Sequence, residues 1–427
     1  MKKNAVKGSL GAIALASAMT MSMGTPVFAL QESPRPDGYS TEIGGEKTTT
    51  FDKYLVMDAQ AEVPNASFTY AVTAGTAKAY DVAGKKFAVL AGVDADKVTM
   101  AGVGTKTANT ITYKPGDKTL NDVNALVKDY ETLSEKYAKK TATLDFSACR
   151  FTEPGIYRYI VTESGTNQAV TNDADATRVV DVYVNDDSKE ETSVGTDPSR
   201  YGYKLKIVGY VLHSNADDAP DVSLGENGGS AGSYVATKSQ GFTNSYDTSD
   251  ILISKMVSGN QASRDKYFEF TVKITDAVPG TVYDVDLSCA DATTKTNAAT
   301  ITANEGKTNP ATLTVGADGT VTQKFYLAHN QSIAIQGVAK DSKYKVTENA
   351  EDYKSTPADA IDNTERRGDA TSGTVASEDI RTGYLNTRDG VIPTGVIMTV
   401  APFAAVTLLG GAGAVTMVMK KKKSEEE

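Results

Sequence analysis

The sequence predicts an all-β protein, and three observations support this. Short runs in which apolar and polar residues alternate fill the middle of the chain, and Gly, Asn, Asp and Pro separate them. The 427 residues include no Trp, and Thr, Val, Ala, Asp and Gly dominate. The third observation is an internal repeat. The alternating runs include Phe68–Val72, Tyr157–Thr162, Val179–Val184, Tyr203–Val211, Tyr267–Ile274 and Tyr344–Thr347.

One segment departs from the strand pattern. Its apolar residues recur every three or four positions, which predicts a short amphipathic helix inserted in the first half of the chain and packed on a sheet. These residues are Leu120, Val123, Leu126, Val127, Tyr130, Leu133 and Tyr137.

The repeat appears when the chain is divided near Asp247. Each half opens with a strand that carries a lysine on its apolar side, continues to a strand that ends in Thr-Glu, and closes with an aromatic-x-Asn strand. By the two-residue period of a strand, each lysine and each glutamate shares a face with apolar neighbours. The residues are Lys53, Glu163 and Asn244 in the first half and Lys255, Glu348 and Asn386 in the second.

This combination of residues predicts a specific reaction. Buried charges are costly, and burial favours the neutral forms of an amine and a carboxylic acid. A neutral amine is a nucleophile, and the asparagine side-chain amide is its electrophile. Glu163 and Glu348 then act as proton shuttles, and loss of ammonia leaves Lys53–Asn244 and Lys255–Asn386 isopeptide bonds. Each reaction occurs once and needs no cofactor.

Both ends of the chain predict export. Lys2, Lys3 and Lys7 precede an apolar stretch and small residues, which is typical of a signal peptide with cleavage after Ala29. At the other end, residues 396–419 form an uncharged apolar run long enough to span a bilayer as a helix. Lys420–Lys423 follow it, where the positive-inside rule places basic residues.

The pentapeptide ahead of this run, Val391-Ile392-Pro393-Thr394-Gly395, completes a pattern that resembles a Gram-positive sortase sorting signal. The resemblance implies cleavage between Thr394 and Gly395 and transfer of the Thr394 acyl group to an amine. Pro393 stands in the third place instead of the second, which is similar to variants on some pilin backbone subunits. This departure favours a pilin-class sortase.

The two Lys–Glu–Asn sets resemble the isopeptide domains of two-domain backbone pilins of the streptococcal T-antigen type. Lys255-Met256-Val257-Ser258-Gly259 and Tyr384-Leu385-Asn386 carry the closer match. The resemblance implies two tandem Ig-like, CnaB-like β-sandwiches. The expected organisation is a signal peptide at 1–29, domains at 30–247 and 248–390, and a sorting signal at 391–427.

The same resemblance implies an acceptor lysine ahead of the first bond-forming asparagine. Lys238 is the lysine in the segment from Val235 to Asn244, offset by about one position from the family pattern. Its expected role is to receive Thr394 of the next subunit. Expected partners are other copies of the chain, a pilin sortase, minor pilins and, at the base of the fibre, peptidoglycan of a Gram-positive cell wall.

Composition argues against other classes. A net charge of −10 disfavours nucleic acid, and two His and two Cys cannot build a zinc site alone. We expect no metal and no cofactor; the Asn172–Asp175 and Asn185–Asp187 runs resemble incomplete calcium loops and are read as polar turns. A Cys149–Cys289 disulfide is chemically allowed outside the cell, but two buried free thiols are preferred.

Together these patterns and resemblances predict the repeating shaft subunit of a sortase-assembled pilus, and two alternatives to it stay open. A monomeric wall-anchored adhesin could use the same stabilised domains. A surface enzyme ranks lower, because the sequence contains no recognisable hydrolase triad.

Overall fold

The structure is a computed structural model. It describes residues 43–82, 85–101, 109–120, 135–186, 205–215, 217–220, 239, 241–288, 297–303, 306–357 and 369–390. Nearly all secondary structure in these ranges is β, with a single 3-10 turn at Ala95–Lys97. The predicted all-β fold with two tandem β-sandwiches is therefore confirmed.

The strands from residue 43 to 247, here called the N-terminal half, form two sheets. The strands are β1 (Gly44–Gly45), β2 (Thr48–Asp58), β3 (Ala66–Ala74), β4 (Lys78–Val82), β5 (Lys85–Ala91), β6 (Thr99–Ala101), β7 (Thr110–Tyr113), β8 (Thr119–Leu120), β9 (Glu135–Asp145), β10 (Gly155–Ser164), β11 (Val170–Thr171), β12 (Thr177–Asp186), β13 (Leu205–His213) and β14 (Gly241–Tyr246). One sheet has the order β1-β13-β12-β10-β3-β7, with β5 also pairing β10 and β4 pairing β5. The facing sheet has the order β11-β14-β2-β9-β6, with β8 beside β9.

The strands from residue 248 to 390, here called the C-terminal half, repeat this arrangement with two further sheets. The strands are β15 (Thr248–Ser258), β16 (Phe268–Thr275), β17 (Val282–Asp286), β18 (Asn297–Ala298), β19 (Thr312–Thr314), β20 (Val321–Leu327), β21 (Gln331–Ala339), β22 (Lys343–Asn349), β23 (Lys354–Pro357), β24 (Ser372–Thr374) and β25 (Ile380–Thr387). One sheet runs β19-β17-β21-β15-β25-β23, with β18 beside β21, and the other runs β20-β16-β22-β24.

In both halves the first long strand and the last strand are parallel neighbours. β2 pairs with β14, and β15 pairs with β25. Parallel strands cannot be joined by a hairpin, so the two strands of each pair are connected by all the other strands of their half. The predicted lysine and asparagine strands are therefore adjacent.

Alternation places the apolar side chains between the sheets of each half. The N-terminal core includes Phe51 and Leu55 from one sheet and Tyr159 and Val161 from the other. The C-terminal core is built in the same way, with Ile253 and Val346 among its members. The residues that alternate as apolar in the sequence are thus the ones whose side chains are buried between the sheets.

The halves also contact each other. Val278 and Ala339 of the C-terminal half pack with the N-terminal core. Thr248 Oγ1 donates a hydrogen bond to Asp58 Oδ2 at 2.7 Å, and Asn65 Nδ2 donates one to the carbonyl of Pro279 at 2.5 Å.

The predicted helical insertion is wrong at both of its ends. Tyr137 lies in β9 and Leu120 in β8, where they are direct antiparallel partners. β9 also pairs with β2 along eleven residues of each strand, and Tyr137 faces Val56 in that ladder. This long-range pairing overrides a local helical spacing, because burial against a sheet decides more than propensity. Residues 121–134 of the predicted helix lie outside the described ranges.

Several other predictions also fall outside these ranges: the signal peptide, Lys238, Cys289, and residues 391–427 with Thr394 and Gly395. In the part of the chain that the structure describes, no helix is long and apolar enough to cross a bilayer. The same part contains no group of three or more His, Cys, Asp or Glu that could hold a metal ion. Cys149 is a buried free thiol, and burial raises its pKa to about 11.

Candidate functional sites: two buried Lys–Glu–Asn clusters

The structure brings together all six residues that the repeat predicted, in two clusters of three. Each lysine and each asparagine comes from the parallel pair of first and last strands. Each glutamate comes from the facing sheet, through β10 in the N-terminal half and β22 in the C-terminal half.

The strand register is the same at both clusters. Asn244 pairs with Leu55, two residues beyond Lys53. Asn386 pairs with Val257, two residues beyond Lys255. Because side chains two residues apart share a face, the lysine and asparagine of each pair of strands point into the same core.

In the N-terminal cluster, Glu163 bridges the lysine and the asparagine. Lys53 Nζ lies 2.8 Å from Glu163 Oε1 and 2.7 Å from Oε2. Asn244 Nδ2 donates a hydrogen bond to Glu163 Oε1 at 2.9 Å. Lys53 is fully buried, and Asn244 is 1% exposed.

The C-terminal cluster has the same connections. Lys255 Nζ forms an ion pair with Glu348 Oε1, and Asn386 Nδ2 donates to that same oxygen at 3.3 Å. Lys255, Asn386 and the side chain of Glu348 are all 0% exposed. In both clusters, one carboxylate oxygen contacts both the amine and the amide.

Burial sets the protonation of the lysines. Loss of hydration lowers the pKa of Lys53 from 10.5 to about 8, and the charge and hydrogen bond of Glu163 oppose this. Lys255 is lowered to about 8 in the same way, with Glu348 opposing. Phenyl rings add to the apolar surroundings: each ammonium nitrogen lies 4.3 Å from a ring centroid, Phe68 for Lys53 and Phe268 for Lys255. A neutral amine is therefore accessible far closer to neutral pH than for a solvated lysine.

The groups around each glutamate differ. Tyr70 donates its hydroxyl to Glu163 Oε2 at 2.6 Å, and burial raises the pKa of that hydroxyl so that it stays a donor. The corresponding residue opposite Glu348 is Phe270, which has no hydroxyl. Ser355 Oγ occupies this role instead, at 2.9 Å from Glu348 Oε2.

Sequence reasoning missed three residues that contact the N-terminal cluster or the strand that carries Asn244. Asn172 Oδ1 accepts a hydrogen bond from Asn244 Nδ2 at 3.1 Å, and the Asp173 backbone N–H donates to Asn244 Oδ1 at 2.9 Å. Arg178, 3% exposed, pairs with Asp173. The sequence signal was ambiguous, since Asn-Asp after a strand is usually a turn; the arginine directly before Val179 and Val180 was the stronger clue.

This arrangement has the parts for acyl transfer within the chain. It holds an amine nucleophile, a carboxamide electrophile and a carboxylic acid or carboxylate in contact with both, in a site closed to water.

Comparison with known proteins identifies relatives. Residues 66–247 match the family model described as the Spy0128-like isopeptide containing domain, and residues 249–388 match a domain of unknown function, DUF7601. A curated pilin from Streptococcus pyogenes serotype M1 is 26% identical over 392 residues, which cover 89% of this chain and 92% of that protein.

Two solved structures of major pilins also match the chain. The crystal structure of the major pilin from Streptococcus pyogenes is 19% identical and covers 81% of this chain and 99% of that chain, with a TM-score of 0.42. A major pilin from serotype GAS13637 of that species is 20% identical, with 82% and 99% covered and a TM-score of 0.42. The family model and the curated pilin confirm the predicted resemblance to streptococcal FctA-like pilins.

Proposed function

We propose that this chain is the repeating shaft subunit of a covalently polymerised pilus, with one isopeptide bond inside each of its two domains. The observation that carries the proposal is that one glutamate in each half contacts both a buried lysine and a buried asparagine. The proposed bonds join Lys53 to Asn244 and Lys255 to Asn386, within domains bounded at 30–247 and 248–390.

Each bond forms by the same balanced step. The neutral lysine amine attacks the asparagine side-chain carbonyl carbon, and a C–N bond forms. The glutamate carries a proton from the attacking nitrogen to the departing amide nitrogen, which leaves as ammonia. The site accelerates the reaction by holding the lysine and the asparagine close together without water. Because the reaction consumes both residues, it occurs once per molecule.

The bonds suit a fibre under tension. Each would tie the first long strand of a half to its last, which are parallel neighbours. A pull on the two ends of such a pair shears its hydrogen bonds, and a covalent cross-link near both ends of the domain carries that load instead. Unlike a disulfide, the amide cannot be cut by reductants.

Polymerisation would use the chain's own terminal pattern. A pilin-class sortase would cleave after Thr394 and transfer its acyl group to Lys238 of another copy, with peptidoglycan as the acceptor at the base. Lys238 directly precedes Ser239, which accepts a hydrogen bond from Arg178 Nε at 3.0 Å and donates its backbone N–H to Leu212. Ser239 Oγ also contacts the Gly241 carbonyl at 3.1 Å, so the residue that follows Lys238 in the sequence lies at the start of the strand that carries Asn244.

Immunoblots of cell-wall extracts test the polymer. The expected result is a ladder of high-molecular-weight species that disappears with Thr394→Ala and with Lys238→Arg. A single band from the unsubstituted chain would instead favour the monomeric adhesin. A ladder that survives Lys238→Arg would assign the acceptor to another lysine.

A further inference from the structure

The carboxamide of Asn244 is held at both of its ends. Its nitrogen donates to Glu163 Oε1 and Asn172 Oδ1, and its oxygen accepts the Asp173 backbone N–H at 2.9 Å. When an amine attacks an amide, negative charge develops on this oxygen. Such charge is stabilised by a donor about 2.7–3.1 Å from the position that the oxyanion will occupy, and the Asp173 N–H already points at the oxygen that becomes this oxyanion.

Asp173 takes this position because the chain leaves the sheet there. The β11–β14 ladder ends with Thr171 opposite Ser245, one residue short of Asn244. In the C-terminal half the equivalent β23–β25 ladder continues past Ser355, opposite Asn386, to Pro357. In the N-terminal half the strand pairing therefore stops next to Asn244, and the Asp173 backbone N–H donates to the side-chain oxygen of Asn244 instead of to a neighbouring strand.

A buried ion pair fixes this turn. Asp173 Oδ2 accepts hydrogen bonds from Arg178 Nη2 at 2.6 Å and from the backbone N–H of Thr243 at 2.8 Å. Arg178 Nε donates to the Gly241 carbonyl at 2.7 Å, and its guanidinium lies 4.7 Å from the ring centroid of Phe242. Asp173 and Arg178 therefore contact the three residues that precede Asn244 in its strand, which are Gly241, Phe242 and Thr243. Because burying two charges costs about as much as their attraction returns, stability alone is a weak reason for such a pair.

We propose that the Asp173 backbone N–H is the oxyanion donor for the N-terminal cross-link, and that Asp173 and Arg178 are its positioning residues. The inference rests on the proposed isopeptide chemistry. As Lys53 Nζ bonds to the Asn244 side-chain carbon, the carbonyl electron pair moves to Oδ1, where the Asp173 N–H meets it. When the carbonyl reforms, ammonia departs with the proton that Glu163 transfers from the lysine.

The test measures ammonia loss in each half of the same molecule. The mature chain is prepared in denaturant before either bond forms, refolded, and sampled over time by intact mass and cross-linked-peptide mapping; each bond removes about 17 Da. Asp173→Ala is expected to slow the Lys53–Asn244 bond about a hundredfold, a typical cost of losing an oxyanion donor. The Lys255–Asn386 bond should form at the unsubstituted rate, which also reports that the C-terminal half has folded.

Asp175→Ala is the matched control, because Asp175 is exposed in the same turn. It should leave both rates unchanged. Asp173→Asn supplies an isosteric variant if the alanine variant misfolds by circular dichroism, and it too should slow the first bond.

Charge changes separate positioning from direct electrostatics. The charge of Asp173 raises the pKa of Lys53, and the charge of Arg178 lowers it. If these residues acted only on lysine protonation, Asp173→Asn and Arg178→Gln would move the rate of the first bond in opposite directions. Positioning predicts that both slow it.

The outcomes that overturn the inference are distinct from those that overturn the function. Two ammonia losses at unchanged rates in Asp173→Ala, or opposite rate changes in the charge variants, would overturn the inference alone. No ammonia loss from the unsubstituted chain would overturn the proposed function and the inference together.

Discussion

The two halves of the chain bury the same three residue types, Lys, Glu and Asn, in contact with one another but surround them with different neighbours. The lysine, the glutamate, the phenyl ring beside the lysine and the strand register are shared. The group that holds the second glutamate oxygen is not: it is the Tyr70 hydroxyl in one half and Ser355 Oγ in the other.

The asparagine oxygens differ more. Asn244 Oδ1 accepts the Asp173 N–H, whereas Asn386 Oδ1 is buried without a partner among the described residues. A buried unpaired oxygen costs about 1–3 kcal/mol. If both halves form the proposed bond, the amine, the acid and the amide in one register are the shared requirement, and each half orients them with different neighbouring groups.

Removal of either glutamate gives the largest expected effect and tests the shared part of the comparison. Glu163→Gln and Glu348→Gln should each abolish one bond, so the mature chain retains one ammonia, about 17 Da. Each bond closes a loop of roughly 130 to 190 residues, so its absence should lower the free energy of unfolding by about 5 kcal/mol on a loop-closure model. Intact mass and denaturant unfolding measure the two effects.

The two loops are similar in length, so the loop-closure entropy of the two cross-links is nearly the same. The two variants should therefore lose similar stability. The shared mechanism would be wrong for one half if its glutamine variant still lost both ammonia molecules.

The pH dependence of bond formation is the second prediction, and it also concerns the shared part. Burial lowers the pKa of both lysines to about 8, so the nucleophilic amine is present above pH 8 and is lost as the pH falls. For refolding chains, the rate limited by the free amine should rise about tenfold per pH unit up to pH 8 and then level off.

Because both lysines have the same shifted pKa, the two profiles should coincide. Quenched refolding between pH 6 and 10, with each bond quantified by peptide mapping, provides the measurement. Profiles displaced from each other by more than one pH unit would show that the different neighbours, and not burial, control the amines.

The sequence was sufficient for the shared part of the sites. Lys53 and Lys255 stood on the apolar parity of strands, as did the two glutamates, so alternation predicted that these four side chains enter the cores. The order Lys, Glu, Asn occurred twice, and this repeat added the two asparagines. The pairing of first and last strands followed from the proposed bonds and not from any local pattern.

The different neighbours could not be read from the sequence for a physical reason. Asp173 acts through its backbone N–H, and any residue carries one; its role depends on where the β11–β14 ladder stops. Tyr137 shows the same limit, since its spacing fits a helix but its partners Val56 and Leu120 come from far along the chain. Long-range pairing decides both cases.

The groups that hold the glutamates give the smallest expected effect and test the part that differs. A hydrogen bond to a charged group contributes about 1.5–3 kcal/mol, so Tyr70→Phe should slow the N-terminal bond roughly tenfold or more and leave the C-terminal bond unchanged. Ser355→Ala should do the reverse. Tyr113→Phe is the control, because it removes a buried hydroxyl that donates to the Lys53 carbonyl instead of to the Glu163 carboxylate. If Tyr70→Phe and Tyr113→Phe slowed the first bond equally, general packing and not orientation of Glu163 would be the role of Tyr70. The groups beside the two glutamates would then differ only in side-chain packing and not in how they orient the carboxylates.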